Sequence, residues 1–274
     1  MSATKWFASL FGSILLGGCG LSVPEIQENR ARPIDGVLMV QAIIQSVRCQ
    51  MINVLKEIDK KDRARKVRVA QFLDDWGLEM TLTLTLDEKS TLAPNLTWMP
   101  PSPATALFTL GAGGGATADA TRTDKMSFYY LIRDLRKEQS CTSGIQQGGE
   151  ISLLVENDLK VDEWLDAYLS TIGTQLSTAP TTTDGALKDT VLTHDVKFDI
   201  SSTGNITPAW KLTKVSINPS GTFFSASRDR THDMSIVLGP GDKTGFTGSA
   251  SFIASQSQQI SNAITSGVKA ALSP

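Results

Sequence analysis

Apolar positions near the start of the chain follow a helical period. From residue 36 to residue 59 they recur every three or four positions, at Val37, Val40, Ile44, Val47, Met51, Val54 and Ile58. This spacing puts them on one stripe and predicts a long amphipathic helix. We expect the stripe to pack on the protein's own sheet. A coiled coil with a partner helix is the alternative, although the run is barely long enough for one.

The period then changes from helical to alternating. Five apolar residues alternate with polar ones in a pattern that predicts a strand with one buried face, namely Leu78, Met80, Leu82, Leu84 and Leu86. A turn is expected at "DEKS" (87–90), and further strands at 91–98, 104–111 and 122–132. A proline-rich loop (99–103) and a glycine-rich connection (112–119) separate these strands.

The second half repeats this alternation of helix and strands. A helix is predicted at 158–176, and "STAPTTTDG" (177–185) has the composition of a linker. Strands are predicted around 194–200, 208–218, 222–227 and 230–238. A C-terminal helix follows, and its polar face is nearly uncharged, which favours covering a sheet over lying on a membrane. Its apolar positions are Ile260, Ile264, Val268 and Leu272.

Comparing the two strand sets indicates an internal duplication. Pro94 matches Pro208, and the segment from Arg122 to Ser127 shares Arg-Thr-x-x-Met-Ser with the segment that starts at Arg230. The interval between the prolines is longer than the interval between the arginines. The first copy therefore holds about six extra residues, which we expect in its proline-rich or glycine-rich loop. Two equivalent β-units would form a groove or a pseudo-twofold surface.

These patterns predict an α+β fold. Two related antiparallel β-units are combined with a long N-terminal helix, a middle helix and a C-terminal helix. The expected organisation is a signal peptide at 1–18, a tether at 19–35, a helix with the first β-unit and a second helix at 36–176, a linker at 177–185, and the second β-unit with the C-terminal helix at 186–274.

Composition and charge exclude little except a nucleic-acid binder. The 274 residues carry 26 basic and 28 acidic side chains, and this near balance offers no electrostatic basis for binding nucleic acid. The basic run "KKDRARKVR" (60–68) could contact anionic headgroups if the chain is held at a membrane. A solvated helix end is the simpler interpretation.

The first residues carry the most specific motif. Lys5 precedes a run of mostly apolar and small residues from Trp6 to Leu16, which is too short to span a bilayer, and "LGGC" ends at Cys19. This segment resembles the lipobox signal peptide of bacterial lipoproteins. The resemblance implies that Cys19 becomes lipid-modified and forms the new N-terminus. With Gly20 after it, the resemblance implies an outer-membrane location facing the periplasm, if the source is Gram-negative.

Lipidation of Cys19 would leave two cysteines, Cys49 and Cys141. In an exported protein a pair of remaining cysteines suggests a disulfide. The helical spacing places Cys49 away from the apolar stripe, where a partner could reach it. Two unpaired thiols are the alternative.

Candidate chemistry is sparse. His232 and Asp233 would point to opposite faces of a strand, so they cannot form a catalytic base and its orienting group. With His194 as the other histidine, a His-rich metal site is excluded, and we expect no metal and no cofactor. The repeated Arg122 and Arg230 are the remaining candidates: each binds a local carboxylate or carbonyl, or the two contact an anionic ligand or a partner.

The sequence therefore predicts a lipid-anchored envelope protein, held to the membrane by its N-terminal lipid, that acts as a binding or assembly component for an envelope partner. The prediction leans away from an enzyme. A carrier for a small or lipid-like ligand is the second hypothesis, and an enzyme acting on cell-wall material is the third. An exposed apolar patch or open strand edge would favour the assembly component, whereas a closed apolar pocket would favour the carrier.

Overall fold

The computed structural model describes residues 22–26, 36–66, 68–101, 108–138, 141, 152–180, 190–211 and 215–241, together with four single helical positions between 257 and 264. The helices are α1 (Gly36–Arg65), a 3₁₀ helix (Gln71–Asp75), α2 (Ile132–Leu135), α3 (Leu153–Glu156) and α4 (Val161–Gly173). The strands are β1 (Trp76–Leu92), β2 (Asn95–Trp98), β3 (Leu110–Gly113), β4 (Ala116–Leu131), β5 (Leu192–Ile206), β6 (Trp210–Lys211), β7 (Val215–Ile217) and β8 (Phe224–Pro240). The predicted α+β class with antiparallel sheets is confirmed.

The strands form two four-stranded sheets. The long strands make the first sheet in the order β4-β1-β8-β5, and the short strands make the second in the order β3-β2-β7-β6. In the second sheet, β2 pairs antiparallel with both β3 and β7, and β6 pairs antiparallel with β7. Each copy of the predicted repeat therefore begins and ends with a long strand and has two short strands between them.

The expected turn at 87–90 is wrong, because these residues lie inside β1. Glu88 is buried and forms an ion pair with Arg228 of β8, while Asp87 and Lys89 alternate to the other side of the strand. The chain leaves the strand only at residues 93 and 94, where Pro94 cannot donate to a ladder. Likewise, the two strands expected at 222–227 and 230–238 are one continuous strand, β8.

One cross-strand pair of residues is consistent with the duplication. In the first copy the hydroxyls of Thr85 on β1 and Thr123 on β4 hydrogen-bond at 3.2 Å. When the two copies are aligned on Pro94 and Pro208, Thr85 corresponds to Asp199. When they are aligned on Arg122 and Arg230, Thr123 corresponds to Thr231. Asp199 and Thr231 hydrogen-bond across β5 and β8 at 2.6 Å. Equivalent positions therefore face each other in both copies.

The two copies are related by a shift along the sheets. In both sheets the two strands of the first copy stand side by side and are followed, in the same order, by the corresponding strands of the second copy. A twofold axis would reverse that order, so the expected pseudo-twofold surface does not form. The proline-rich connection accounts for the extra residues, since the segment from Trp98 to Leu110 is much longer than the corresponding one from Lys211 to Val215.

The chain divides into two compact units that differ from the two copies. Unit 1 comprises Met1–Ile26, Leu84–Asp124 and Asp199–Thr231, and unit 2 comprises Gln27–Thr83, Lys125–Phe198 and His232–Pro274. Unit 2 contains the larger core. Its buried side chains come from α1, the start of β1, the end of β8 and α4, and include Met39, Ile43, Val47, Met51, Leu55, Leu78, Met80, Leu82, Leu165, Met234 and Ile236.

Helix α1 is longer and more widely buried than its stripe predicts. It runs for 30 residues, and Ile43, Ile52 and Leu55 are buried in addition to most of the predicted positions. It contacts α3 and α4 within unit 2. By length and composition α1 could cross a membrane, but half of its most apolar window is buried inside the fold. We therefore interpret it as the core helix of unit 2.

The predicted disulfide is present, since Cys49 and Cys141 are bonded with their Cα atoms 5.4 Å apart. Cys49 is buried, and Cys141, which follows α2 in the chain, is bonded to it there. There Glu138 forms an ion pair with Arg48, whose guanidinium also lies over the ring of Tyr130.

Three predicted features lie outside the described residues. These are the signal peptide with Cys19, most of the tether, and most of the linker. Of the C-terminal helix, Ser257, Ile260, Ser261 and Ile264 are described, and all four are helical and exposed.

Candidate binding surface

The second sheet carries apolar side chains along one side. Antiparallel partners share a face, and the register of β2 places Leu96 beside Ala112 and Ile217, and Trp98 beside Leu110 and Val215. The result is a small surface built from three adjacent strands of unit 1. We call the apolar face the six residues Leu96, Trp98, Leu110, Ala112, Val215 and Ile217.

The apolar face is open to solvent over β2 and β3. Trp98 is 42% exposed and Leu110 is 50% exposed, and Leu96 is also exposed. Met99, which follows β2, and Phe108, which precedes β3, are also exposed. Single exposed apolar residues are ordinary, whereas a contiguous group on one sheet face marks an interaction surface.

Polar side chains hold the opposite side of the same sheet. Asn95 donates from its amide nitrogen to the side-chain oxygen of Asn218 at 3.0 Å and to the carbonyl of Ser220 at 2.7 Å. Asn218 is almost fully buried, adopts φ of +50°, and donates in turn to the carbonyl of Pro208 at 2.9 Å. Asparagine tolerates this left-handed conformation. The sheet is thus braced by hydrogen bonds on its polar side, and its apolar face is left available.

The sequence around the apolar face is almost free of charge. The segment 93–115 contains no charged residue, and the segment 203–227 contains two lysines, Lys211 and Lys214, and no acidic residue. All the acidic residues are distributed over the rest of the chain. Sequence reasoning missed this surface because its strands are short, but the uncharged stretches are a signal that could have found it.

Arg122, one of the two predicted contact residues, binds the chain's own tether. Its guanidinium holds Asp124 through two hydrogen bonds of 3.1 and 2.6 Å, and its Nη1 donates to the carbonyl oxygen of Pro24 at 3.3 Å. Pro24 is buried within unit 1. The hydrogen bond with Asp124 raises the pKa of Arg122 further above its already high value.

A second arginine, which the repeat comparison did not select, holds the next residue of the tether. Arg228 donates to the carbonyl of Glu25 at 2.8 Å and forms an ion pair of 2.9 Å with the buried carboxylate of Glu88. Two consecutive tether carbonyls are therefore bound by arginines of β4 and β8. Within the described residues 22–26, the tether therefore contacts unit 1 at Pro24 and Glu25.

Arg230 occupies the register position that matches Arg122, but its surroundings differ. Two positions beyond Arg122 the strand carries Asp124, whereas two positions beyond Arg230 it carries His232. The carboxylate that pairs with Arg122 is therefore not repeated beside Arg230, which is half-buried. A role for the two arginines in binding an external ligand stays a prediction.

His232 and Asp233 face opposite sides of β8, as the strand period requires. His232 is buried, and its Nδ1 lies 3.1 Å from the hydroxyl of Ser152. Asp233 attracts Lys125, although burial is the larger influence and lowers the pKa of Lys125. The Ser152 hydroxyl also accepts a hydrogen bond from the Leu154 amide at the start of α3. Ser152 therefore caps this helix, and His232 contacts the capping residue inside the core. A catalytic pair would need access for a substrate.

His194 is likewise engaged in the fold. Its Nε2 donates to the carbonyl of Leu159 at 2.8 Å, and its ring stacks on Trp164 with centroids 5.0 Å apart. Neither histidine lines any of the three clefts considered next. Within the described part of the chain, no group of three or more His, Cys, Asp or Glu residues could hold a metal ion.

Three clefts formed by described residues are lined mainly by polar and charged side chains. The end of the basic run contributes to one of them in unit 2, where Arg63, Lys66 and Arg68 stand among Asp59, Asp62 and Asp74. Of these three cations, Arg68 forms an ion pair with Asp74 at 3.0 Å. A second cleft in unit 2 and one in unit 1 are also lined mostly by polar and charged residues, and both are open to solvent. These clefts do not offer the closed apolar pocket that a lipid carrier requires.

Unit 1 also contains a carboxylate with a perturbed pKa. Burial raises the pKa of Asp87 to about 6, and a hydrogen bond and repulsion from Asp119, with repulsion from Asp229, add to this effect. Lys89 acts in the opposite direction. The stability of the fold should therefore depend on pH through the protonation of Asp87.

Comparisons with known proteins give no match: no protein-family profile and no curated protein is similar to this chain.

Proposed function

We propose that this chain is a lipid-anchored cell-envelope protein that acts as a non-enzymatic binding or assembly component facing the periplasm. The lipobox-like segment ending at Cys19 supports the anchor, and the Cys49–Cys141 bond is consistent with an oxidising compartment. The apolar face is the observation that carries the binding role. The anchor holds the protein at the envelope, and the apolar face is the surface that contacts its target.

The docked tether gives the anchor a defined attachment to the body. Cys19 lies five positions before Pro24, so the lipid lies within about 18 Å of the carbonyl that Arg122 binds. A loose tether would let the protein reach distant partners. A tether held by two arginines instead restricts unit 1 to the membrane surface, and this favours a target that is itself at that surface.

The proposal is tested by separating the anchor from the apolar face. Cys19→Ala should abolish labelling by radioactive palmitate and release the protein from the lipoprotein fraction. Leu110→Glu should leave labelling intact and instead remove crosslinks between this chain and other envelope components. Thr203→Glu places the same charge on an exposed position of β5 and is the matched control.

Two results would contradict the proposal. Unchanged palmitate labelling of Cys19→Ala would refute lipidation at this cysteine. Crosslinks that survive Leu110→Glu as well as they survive Thr203→Glu would show that the apolar face does not bind the target.

A further inference from the structure

We propose that the apolar face is seated in the interfacial layer of a phospholipid bilayer, so that unit 1 contacts the membrane at a second place besides its lipid. This inference rests on the proposed function, because the lipid anchor is what brings unit 1 to a membrane. It goes further by naming the class of target, which is a lipid surface.

The side chains of the apolar face match the chemistry of a membrane interface. Trp98 is the aromatic residue of β2, and tryptophan is enriched where headgroups meet acyl chains because it combines a large apolar ring with one N–H donor. Leu110 is its register partner on β3, and Leu96 lies on the same face of β2, so both add aliphatic surface.

The charge around the apolar face is suited to phospholipid headgroups. The segments 93–115 and 203–227 contain no carboxylate that an anionic bilayer would repel. The acidic residues nearest in sequence, such as Asp119 and Asp229, lie on the long strands and not on the second sheet.

A protein partner fits this surface less well. Protein interfaces combine apolar contacts with about one hydrogen bond per 100–200 Å² of buried area. The apolar face contains one side-chain donor, the indole N–H of Trp98, and no side-chain acceptor. A bilayer interface needs no such directed pairs, and the anchored end already places lipid next to the same unit.

The test measures whether Trp98 touches acyl chains. The full chain, exported and purified as the cell processes it, is reconstituted into phosphatidylethanolamine and phosphatidylglycerol vesicles, with or without bromine on the acyl chains. The emission of Trp98 is obtained by subtracting the spectrum of Trp98→Phe. We expect this difference emission to shift to shorter wavelength in vesicles and to be quenched by the brominated lipid.

Leu110→Glu should abolish that quenching, because it places a carboxylate on a half-exposed position of the apolar face. Thr203→Glu should be quenched as the wild type is. Unquenched Trp98, or equal quenching in both glutamate variants, would overturn the inference. The inference is also wrong if the wild type sediments as a dimer that Leu110→Glu dissociates while Trp98 stays unquenched, since the face would then cover a second copy.

Mass spectrometry of the purified chain distinguishes this failure from failure of the proposed function. A lipidated protein with unquenched Trp98 contradicts only the lipid contact of the apolar face. An unlipidated product contradicts the anchor. In that case the unlipidated protein is added to vesicles from solution and the quenching of Trp98 is measured again. Quenching then supports the inference, and its absence refutes it.

Discussion

Removing the Cys49–Cys141 bond should lower the stability of the folded chain by a calculable amount. The bond joins positions with a sequence separation of 92, and closing a loop of that length removes about 4.6 kcal/mol of chain entropy from the unfolded state. With an unfolding entropy of about 2.1 cal/mol/K per residue over the 274 residues, this corresponds to a melting temperature about 8 °C lower. Native strain reduces such values, so this free energy is an upper limit.

The perturbation is the double variant Cys49→Ser and Cys141→Ser, followed by urea unfolding with circular dichroism. A serine in place of the buried Cys49 also lowers the free energy of unfolding, because it buries a hydroxyl. The wild type treated with reductant is therefore the matched comparison. Both should unfold at lower urea than the oxidised wild type, and reductant should not affect the variant. Equal urea midpoints for the oxidised and the reduced wild type would show that the bond between Cys49 and Cys141 does not stabilise the fold.

Individual contacts give three further predictions. Glu88→Gln should lower the free energy of unfolding by about 3 kcal/mol in urea titrations, because it leaves the largely buried guanidinium of Arg228 without its carboxylate; a loss near zero would contradict the pairing. The pKa of Asp87 is raised to about 6 in the folded state, so the folded chain holds this proton more tightly than the unfolded chain does. The melting temperature should therefore fall as the pH rises from about 4 to about 6 and then level off. Asp87→Asn should flatten this fall, and a profile identical to that of the wild type would contradict the raised pKa. Ser152→Ala should cost about 1 kcal/mol in thermal unfolding through the lost helix cap and leave crosslinking to envelope components unchanged, whereas lost crosslinking would point to a functional role for this serine.

The sequence predicts the long elements well because their period is sustained. The alternation from Leu78 to Leu86 and the spacing in α1 each continue over many positions, so single exceptions do not hide them. The repeat matches made on the prolines and the arginines also fit the cross-strand register, which carries Thr85 and Thr123 to Asp199 and Thr231. Local pattern and tertiary pairing agree there.

The errors arise where a tertiary partner decides the local structure. "DEKS" has the composition of a turn, but Glu88 pairs with Arg228 in the second copy, far away in sequence, and the strand continues through it. The tether contacts could not be predicted for the same reason, since no local pattern connects Pro24 with Arg122. Strand order could not be predicted either, because a repeat is compatible with both a shift and a twofold axis.

The sequence predicted a type of surface but not the residues that form it. An exposed apolar patch was expected of an assembly component, but its residues lie on β2, β3 and β7, which are too short for a period to be recognised. Its lack of carboxylates is visible in the sequence, yet it acquires meaning only once Leu96, Trp98 and Leu110 are seen to share one side of a sheet.

Coverage of the apolar face in the envelope can be measured by its accessibility to a reagent there. Leu110→Cys and the control Ser201→Cys, both at exposed positions, are treated in opened native envelopes with a maleimide that does not cross membranes. We expect Leu110→Cys to react about tenfold more slowly than Ser201→Cys, as for a site covered about nine-tenths of the time, and both to react equally in urea. Equal rates in the native envelopes would contradict it.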